Sequence, residues 1–373
     1  MSDVMRFGVL GSNNVFVRET TMELSDFCQI DAIILRKKTD KNNIILNDRI
    51  NLTSINSRSF FSLLKLPFEI KKTRRFVDVF LVHYMNLYFA LLILFGIINR
   101  PIVYFCYGTD VHNTKIANLL LKRAIEKVDL IFVQVPAQKE YIHNLFGVSY
   151  DKVESSKVVF PVNPSFKKYN DSQKQEIRKK WKIFKKYVIF SPRTVNKHYN
   201  HHILLEAINL LDDNLKTEIQ IVITGFGDKD YLNRLIEIGK KNNLDVVNLN
   251  KFLTPQEMAE IYNISLINVN IPNHDQFGRS IVEGCLCDCV PLLNIEIPAY
   301  HDLLKDNENC IYVKPEPEAI AAKIEWILKN QENFINFYVR NAKLFLEYQN
   351  TKQVYNELTA TIEKIVLQKR VLE

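Results

Sequence analysis

Glycine is scarce in this chain: ten of its 373 residues, against the roughly 7% of an average protein. A sequence so poor in glycine keeps it where the backbone turns sharply or another group comes close. Gly11, Gly108, Gly225 and Gly227 each follow an apolar run that reads as a strand, and Gly278 opens a helical pattern. "GFG" at 225–227 is not a dinucleotide fingerprint, because Asp230 stands where the third glycine belongs. Long hydrophobic runs are missing too. The best candidate, "LYFALLILFGIINR" at 87–100, has an apolar core of about a dozen residues. That is short of the roughly 20 a helix needs to cross a bilayer, so a buried helix between two strands fits it better. The start, "MSDVMRFGVLGSNN", lacks the apolar stretch of a secretory leader. With six scattered cysteines, a reducing cytoplasmic setting is expected rather than a disulfide framework. Basic residues do not interleave with aromatics as in nucleic-acid modules, so no nucleic-acid partner is expected.

What the chain has is size, apolar content and uneven charge. At 373 residues and 47% hydrophobic it is globular and long enough for two domains. Residues 1–180 hold 27 Lys+Arg against 17 Asp+Glu, a balance of +10 within a whole-chain net of +7. A basic N-terminal half suits an anionic partner or a plain solvated surface. Apolar runs of four to seven residues alternate with helical patterns, the layout of βαβ units. In the first half they are "MRFGVLG", "DAIIL", "VDVFLVH", "PIVYFCYG", "DLIFVQ" and "KVVFP"; in the second, "YVIFS", "IQIVITG", "VVNLN", "LINVNI", "VPLLN" and "CIYVK". Runs apolar at every position are strands of a parallel sheet covered on both faces. The helix "NTKIANLLLKRAIEKV" is expected to bury Ile116, Leu119, Leu120, Ala124 and Val128. "PVNPSFKKYNDSQKQ" separates two α/β domains, whose ligands bind beyond the C-terminal strand ends. Two such ends can face each other across a cleft.

The stretch "HDQFGRSIVEGCLCDCVPLL", 274–293, contains two kinds of candidate chemistry. A helix starting near Phe277 and Gly278 offers free N–H groups to a phosphate. Asp275 just before it and Glu283 about two turns in can address one elongated ligand, and carboxylates pair well with sugar hydroxyls. "FSPRTVNKHYN" adds Arg193 and Lys197 in a loop after a strand, cations suited to the charge growing on a departing diphosphate. Cys285, Cys287 and Cys289 alternate. On a helix Cys285 and Cys289 share a face and Cys287 does not, and a zinc site lacks its fourth ligand. They read as small apolar packing. "DKD" at 228–230 reads as surface charge, with no metal site expected.

These segments in order resemble a retaining glycosyltransferase of GT-B architecture, of the large family-four (glycosyl transferases group 1) type. The resemblance is clearest from Tyr187 to Leu328: "ITGFGDKDYLNRL" for the strand-and-glycine loop, "FLTPQEMAEIYNISLINVNIPNHDQFGRSIVEG" for the E-x7-E segment, and "IYVKPEPEAIAAKIEWIL" for the closing strand and helix. "VDVFLVHYMN" and "PIVYFCYGTDVH" match more loosely. The resemblance implies two Rossmann-like parallel-sheet domains facing a central cleft. Residues 1–165 would bind the acceptor, 166–345 the nucleotide-sugar donor, and a C-terminal helix at 346–373 would cross back to the first domain. It implies that Arg193 and Lys197 hold the donor diphosphate and that Asp275, in place of the family's first Glu, contacts the sugar or its phosphate. Glu283 would bind the ribose, with Gly11, Gly225, Phe277, Gly278 and Arg279 lining the nucleotide sugar. His83, Tyr107 and Asp110 would face the acceptor; Tyr107 of "YGTD" stands where many relatives carry an active-site His.

The function so implied is transfer of a sugar, with retention and without a metal or other cofactor. The donor is a nucleoside-diphosphate sugar of UDP or GDP type, and the acceptor a glycan or lipid-linked glycan in cell-surface polysaccharide or glycoconjugate synthesis. Attack follows closure of the cleft. The setting is the cytoplasm, at the inner face of an anionic membrane. Two other readings share the architecture: a nucleotide-sugar 2-epimerase, and a non-catalytic sugar-binding partner subunit of a transferase.

Overall fold

The computed structural model describes residues 5–37, 47–107, 115–156 and 161–372. The chain divides into two compact units, residues 1–161 with 350–373 and residues 162–349. Each is built on one parallel sheet.

The first unit has seven strands: β1 (Arg6–Ser12), β2 (Gln29–Arg36), β3 (Ile50–Asn56), β4 (Val79–His83), β5 (Ile102–Phe105), β6 (Leu130–Val133) and β7 (Val153–Ser155). They lie in the order β3-β2-β1-β4-β5-β6-β7, all parallel. β4, β5 and β6 are buried at every position, because helices cover both faces of the sheet and leave none to solvent. The apolar run at 87–100 supplies a helix of eight residues, Leu87–Leu94, between β4 and β5, with Phe89, Ala90, Leu92 and Ile93 buried. No helix among the described residues is long and apolar enough to cross a membrane. The helix Lys115–Glu126 buries a face shifted from the one the spacing suggests, sharing Ala124 and the following Val128 with it, while the Ile116 side chain lies outside the described residues. Leu119 is exposed, and Leu121, Ala124, Ile125 and Val128 are buried.

β3 and β7 were not legible as strands. β3 reads "INLTSIN", with burial interrupted along its length, because an edge strand needs no continuous apolar surface. β7 is three residues long. The expected strand "KVVFP" lies outside the described residues but for its final proline. The chain's last helix, Thr351–Leu372, belongs to this unit. Val354, Tyr355, Leu358, Ile362 and Val366 recur at helical spacing and join the core around Val17 and Leu24. Lys369 pairs with Asp129 at 2.9 Å.

The second unit has six strands: β8 (Tyr187–Ser191), β9 (Ile219–Ile223), β10 (Val246–Asn248), β11 (Ile267–Asn270), β12 (Val290–Asn294) and β13 (Ile311–Val313). Their order is β10-β9-β8-β11-β12-β13, again all parallel. This is the doubly wound order in which the chain runs outward from the centre in one direction, returns, and runs outward in the other. Its reversal point lies between β8 and β11.

Candidate functional site

At such a reversal point the loops leaving the two central strands diverge and open a crevice at the C-terminal end of the sheet. β8 ends at Ser191 and β11 at Asn270, so the loops carrying Arg193 and Asp275 meet there although 82 residues separate them. The guanidinium of Arg193 donates to Asp275 Oδ1 at 3.2 Å and to Ser280 Oγ at 3.2 Å, and lies over the Tyr199 ring at 4.6 Å. Both charged side chains are mostly buried, 17% exposed for Arg193 and 12% for Asp275. Burial works against the Arg193 charge, but Asp275 first, then Tyr199 and Tyr300, outweigh it and push its pKa above the ordinary value. The other oxygen of Asp275 accepts from Tyr300 Oη at 2.9 Å. Burial and then the Asp275 charge hold the Tyr300 hydroxyl well above its usual pKa, so it stays a donor.

Gly278 is what lets these groups meet. A Cβ there would lie 2.2 Å from an Arg193 terminal nitrogen and 3.1 Å from Asp275 Oδ2. It is the N-cap of the helix Arg279–Leu286, and no side chain caps that start, which leaves a positive helix end facing the crevice. Ser280 ties the helix to β11: its hydroxyl donates to Asn270 Oδ1 at 2.8 Å, and its carbonyl accepts from Asn268 Nδ2 at 2.9 Å. Glu283, one turn further, is 6% exposed. It pairs with Arg279 at 3.0 Å and accepts from Tyr262 Oη at 3.3 Å. Burial, then the Glu283 charge, pushes the Tyr262 hydroxyl well up.

The loops after β8 and β9 are stitched together by Val195 N to Phe226 O and Asp228 N to Val195 O, both 2.7 Å. Gly225 and Gly227 both sit at positive φ, +70° and +144°. At Gly227 a Cβ would fall 2.2 Å from the Val195 carbonyl oxygen, so this is a position of close backbone approach. Asp228 caps the helix Lys229–Lys241, accepting from Asp230 N and Tyr231 N at 3.0 Å each.

The expected residues thus fall into groups. Arg193, Asp275 and Gly278 are in mutual contact, and Arg279 and Glu283 form an adjacent pair. Lys197 stands exposed on a short 3-10 turn, Lys197–Tyr199, and forms no ion pair among the described residues. The Phe277 side chain points into the core, edge-on to Tyr300 at 6.2 Å and tilted against Phe345 at 6.1 Å. Tyr199, Tyr300 and Ser280, which orient Arg193 and Asp275, were missed, and no spacing signals them. Also missed were Phe226 and Phe252, both more than half exposed in loops after β9 and β10, with ring centroids 6.0 Å apart.

Cys285, Cys287 and Cys289 are all buried. The helix stops at Leu286, so Cys287 caps it and Cys289 lies beyond the left-handed Asp288 at φ +71°. The Cys289 thiol donates to Tyr262 O at 3.0 Å. Burial pushes all three thiols up, which makes them poor thiolates.

In the first unit, β1 and β4 are neighbours at that sheet's own reversal point, and Gly11 and His83 touch there. A Cβ on Gly11 would come 2.7 Å from Val17 Cγ2 and 3.2 Å from His83 Cβ. Tyr107 is packed between Phe16 at 4.8 Å and Tyr84 at 4.5 Å, and its hydroxyl is 2.7 Å from His83 Nδ1. The His83 ring lies flat on Phe105 at 4.4 Å, and burial lowers its pKa to about 3, so it is neutral. Its Nε2 has no partner among the described residues. Asp110 lies outside the described residues.

Residues 173–344 match the family model described as glycosyl transferases group 1. No curated protein is similar enough in sequence to match. Among solved structures, Anabaena Alr3699/HepE in complex with UDP and glucose superposes with a TM-score of 0.77 at 13% identity, over 96% of this chain and 100% of that one. A glycosyltransferase from Rickettsia africae ESF-5 gives 0.76 at 15% identity, over 98% and 99%. Sucrose-phosphate synthase from Thermosynechococcus elongatus gives 0.76 at 14%, over 96% and 100%. At these identities the likeness is one of fold. Residues 173–344 therefore belong to the glycosyl transferases group 1 family, carried in a chain whose two Rossmann-like sheets form the GT-B fold.

Proposed function

We propose that this protein is a retaining glycosyltransferase that takes a sugar from a nucleoside-diphosphate sugar of UDP type. The observation that carries the reading is the Arg193–Asp275 pair beside the uncapped helix start at Gly278, at the reversal point of the second sheet. A diphosphate placed there meets the guanidinium, which binds phosphate bidentately, and the positive helix end. Lys197, exposed and without an ion pair among the described residues, adds a second cation. As the sugar–phosphate bond breaks, charge grows on the diphosphate, and these groups stabilise it. The positive charge comes from the protein, and no divalent cation is needed. Asp275 turns to the donor sugar. Glu283 holds the ribose hydroxyls, since each of its oxygens has further acceptor capacity beyond its bonds to Arg279 and Tyr262. Phe226 and Phe252 offer exposed ring faces for a base to stack on. UDP in the HepE complexes and UDP-2-fluoro glucose in an E. coli neighbour support a uridine donor.

His83 and Tyr107 take the acceptor side, where the hydrogen-bonded Tyr107 phenol meets a sugar hydroxyl. The acceptor is a glycan or lipid-linked glycan of surface polysaccharide synthesis. The basic N-terminal half brings the enzyme to the inner face of an anionic membrane.

The test is thermal stabilisation by UDP, GDP, ADP and CMP, followed by nucleoside-diphosphate release from the matching sugars. UDP is expected to raise the melting temperature by mass action, and release is expected to survive EDTA. Arg193→Lys keeps the charge but loses the fork, and should weaken both binding and release. A protein that no nucleoside diphosphate stabilises, or one that epimerises its sugar without releasing UDP, would overturn the reading.

A further inference from the structure

Between β3 and β4 the chain reads "RSFFSLLKLPFEIKKTRRF", residues 58–76, with six basic residues and one acid, Glu69. It forms two short helices, Phe60–Leu63 and Leu66–Thr73. The second turns Leu66 and Ile70 into the core. Phe68, two residues from each, is therefore on the opposite side of that helix, and its ring is 73% exposed. Phe60 is 70% exposed, Phe61 79% and Leu64 51%. A folded domain gains nothing from holding four large apolar side chains in water, and a cluster of them marks a surface that something covers.

The charges around the rings say what covers it. Lys71 and Lys72 lie one turn after Phe68, and Lys65 and Leu64 one turn before. Among the described residues Lys65, Lys71, Lys72 and Arg75 form no ion pair and Arg58 makes no side-chain bond, whereas Arg6 and Lys369 of the same unit pair with Asp31 and Asp129. Arg74 donates to the carbonyls of Gly96 and Ile97 at 3.5 and 3.4 Å. That bond brings the 95–97 turn alongside, and there Phe95 is 76% exposed. Apolar rings set among unpaired Lys and Arg are the composition of an interfacial helix: the rings enter the boundary of the acyl chains while the long cationic stems reach back to the headgroups. A protein partner of the same shape would need a matching acidic rim. An anionic bilayer supplies negative charge everywhere in one plane.

We infer that residues 58–76, with Phe95, are a monotopic docking surface that inserts Phe60, Phe61 and Phe68 into an anionic lipid surface. This gives a location to the membrane contact proposed above and rests on it. The segment leaves the C-terminal end of β3, the same end of the sheet at which Gly11 and His83 lie. From there it runs back to the start of β4, where Arg74 meets the 96–97 turn, so the docking surface lies along the flank of the first sheet.

The experiment is co-sedimentation of the full chain with vesicles of phosphatidylglycerol and phosphatidylcholine, and with phosphatidylcholine alone. Two variants are compared with the parent: Phe60→Ser with Phe61→Ser and Phe68→Ser, and Lys71→Glu with Lys72→Glu. The rings are exposed, so both variants should keep the parental melting temperature and the parental release of UDP from UDP-sugar in solution. The ring variant should lose at least tenfold in partitioning, even at low salt, because the apolar contact is gone. Each interfacial Lys is worth about fivefold, so the double Glu variant should lose more than that and also lose its preference for phosphatidylglycerol. If the parent binds neither vesicle, the membrane contact itself is wrong. A parent that binds while the ring variant binds equally well would leave the membrane contact standing and overturn this surface. A parent that is dimeric, with a ring variant that is monomeric and still binds vesicles, would assign the face to a second copy of the chain and also overturn it.

Discussion

Gly278→Ala is the sharpest test of the proposed donor site, because the structure separates its effect on folding from its expected effect on chemistry. The backbone at Gly278 has φ −69° and ψ 130°, which any residue adopts, so the change costs nothing in conformation. Gly→Ala at such a position stabilises by roughly 0.4–1 kcal/mol through the unfolded chain. Against this, the new Cβ falls 2.2 Å from the Arg193 guanidinium. The guanidinium is the end of a flexible side chain and retreats by about 1 Å, giving up its bond to Ser280, worth about 1 kcal/mol. The two effects nearly cancel, so the melting temperature should move by no more than a few degrees. Chemistry has no such compensation. A displacement of about 1 Å in a group that meets developing charge costs on the order of a hundredfold in rate. UDP release measured under saturating donor should fall by that much while circular dichroism stays parental. Gly227→Ala is the contrast. There φ is +144° and the obstacle is the Val195 carbonyl oxygen at 2.2 Å, so stability falls as well. If Gly278→Ala releases UDP at the parental rate, Arg193 is not where the charge develops and the site assignment fails.

Three further outcomes follow from the geometry. Tyr300→Phe removes one donor from Asp275 without changing shape and should lower donor turnover about tenfold, with a stability loss of roughly 1–2 kcal/mol; parental kinetics would show that Tyr300 merely packs. Cys285, Cys287 and Cys289 changed together to Ala should lower the melting temperature by several degrees, since all three are buried, and leave UDP release largely intact; loss of release with an unchanged melting temperature would refute the packing role. His83 and His201, lowered by burial to about 3 and about 4, are neutral when folded and take up protons when unfolded. Their contribution is whole above about pH 6.5 and is lost as pH falls toward those values, by about 2 kcal/mol each at pH 5. The urea midpoint should therefore drop between pH 7 and pH 5 and drop less in His83→Gln; an equal drop in both proteins would argue against a buried neutral His83.

The parts of the molecule legible in the sequence share one property: their signal is local. Five strands of the second sheet, β8, β9, β11, β12 and β13, are buried at every position and read as apolar runs because they are covered on both faces. Arg193, Asp275 and Glu283 stood out as charges at strand and helix ends. What was illegible depends on contacts across the chain. That Arg193 bonds Asp275 requires β8 to lie beside β11, a fact of sheet order and not of spacing. Tyr199 and Tyr300 look like any turn tyrosines until the carboxylate and guanidinium they orient are in place. β3 escaped notice because an edge strand with Asn, Thr and Ser carries little of the pattern that marks a central one. Nothing in the spacing marks Phe60, Phe61 and Phe68 as exposed, and their exposure is visible only once Leu66 and Ile70 have taken the inward face.

The charge arrangement at the reversal point of the second sheet suits the proposed donor site. Two carboxylates addressing one anionic ligand would repel it. Each instead has its own guanidinium, Asp275 with Arg193 and Glu283 with Arg279, so the four side chains together are near neutral. The potential that a diphosphate bound as proposed would meet is then set by what remains: the helix start at Gly278 and the exposed Lys197. A neutral, prearranged quartet costs little to hold in a largely buried crevice, where a lone charge would cost several kcal/mol. It also lets Arg193 share its donors between Asp275 and an arriving phosphate without leaving either charge bare. Such a quartet needs residues from loops after two neighbouring strands and from the helix that follows one of them. A parallel sheet brings these together at its reversal point, where adjacent strand-end loops part and leave room for a ligand.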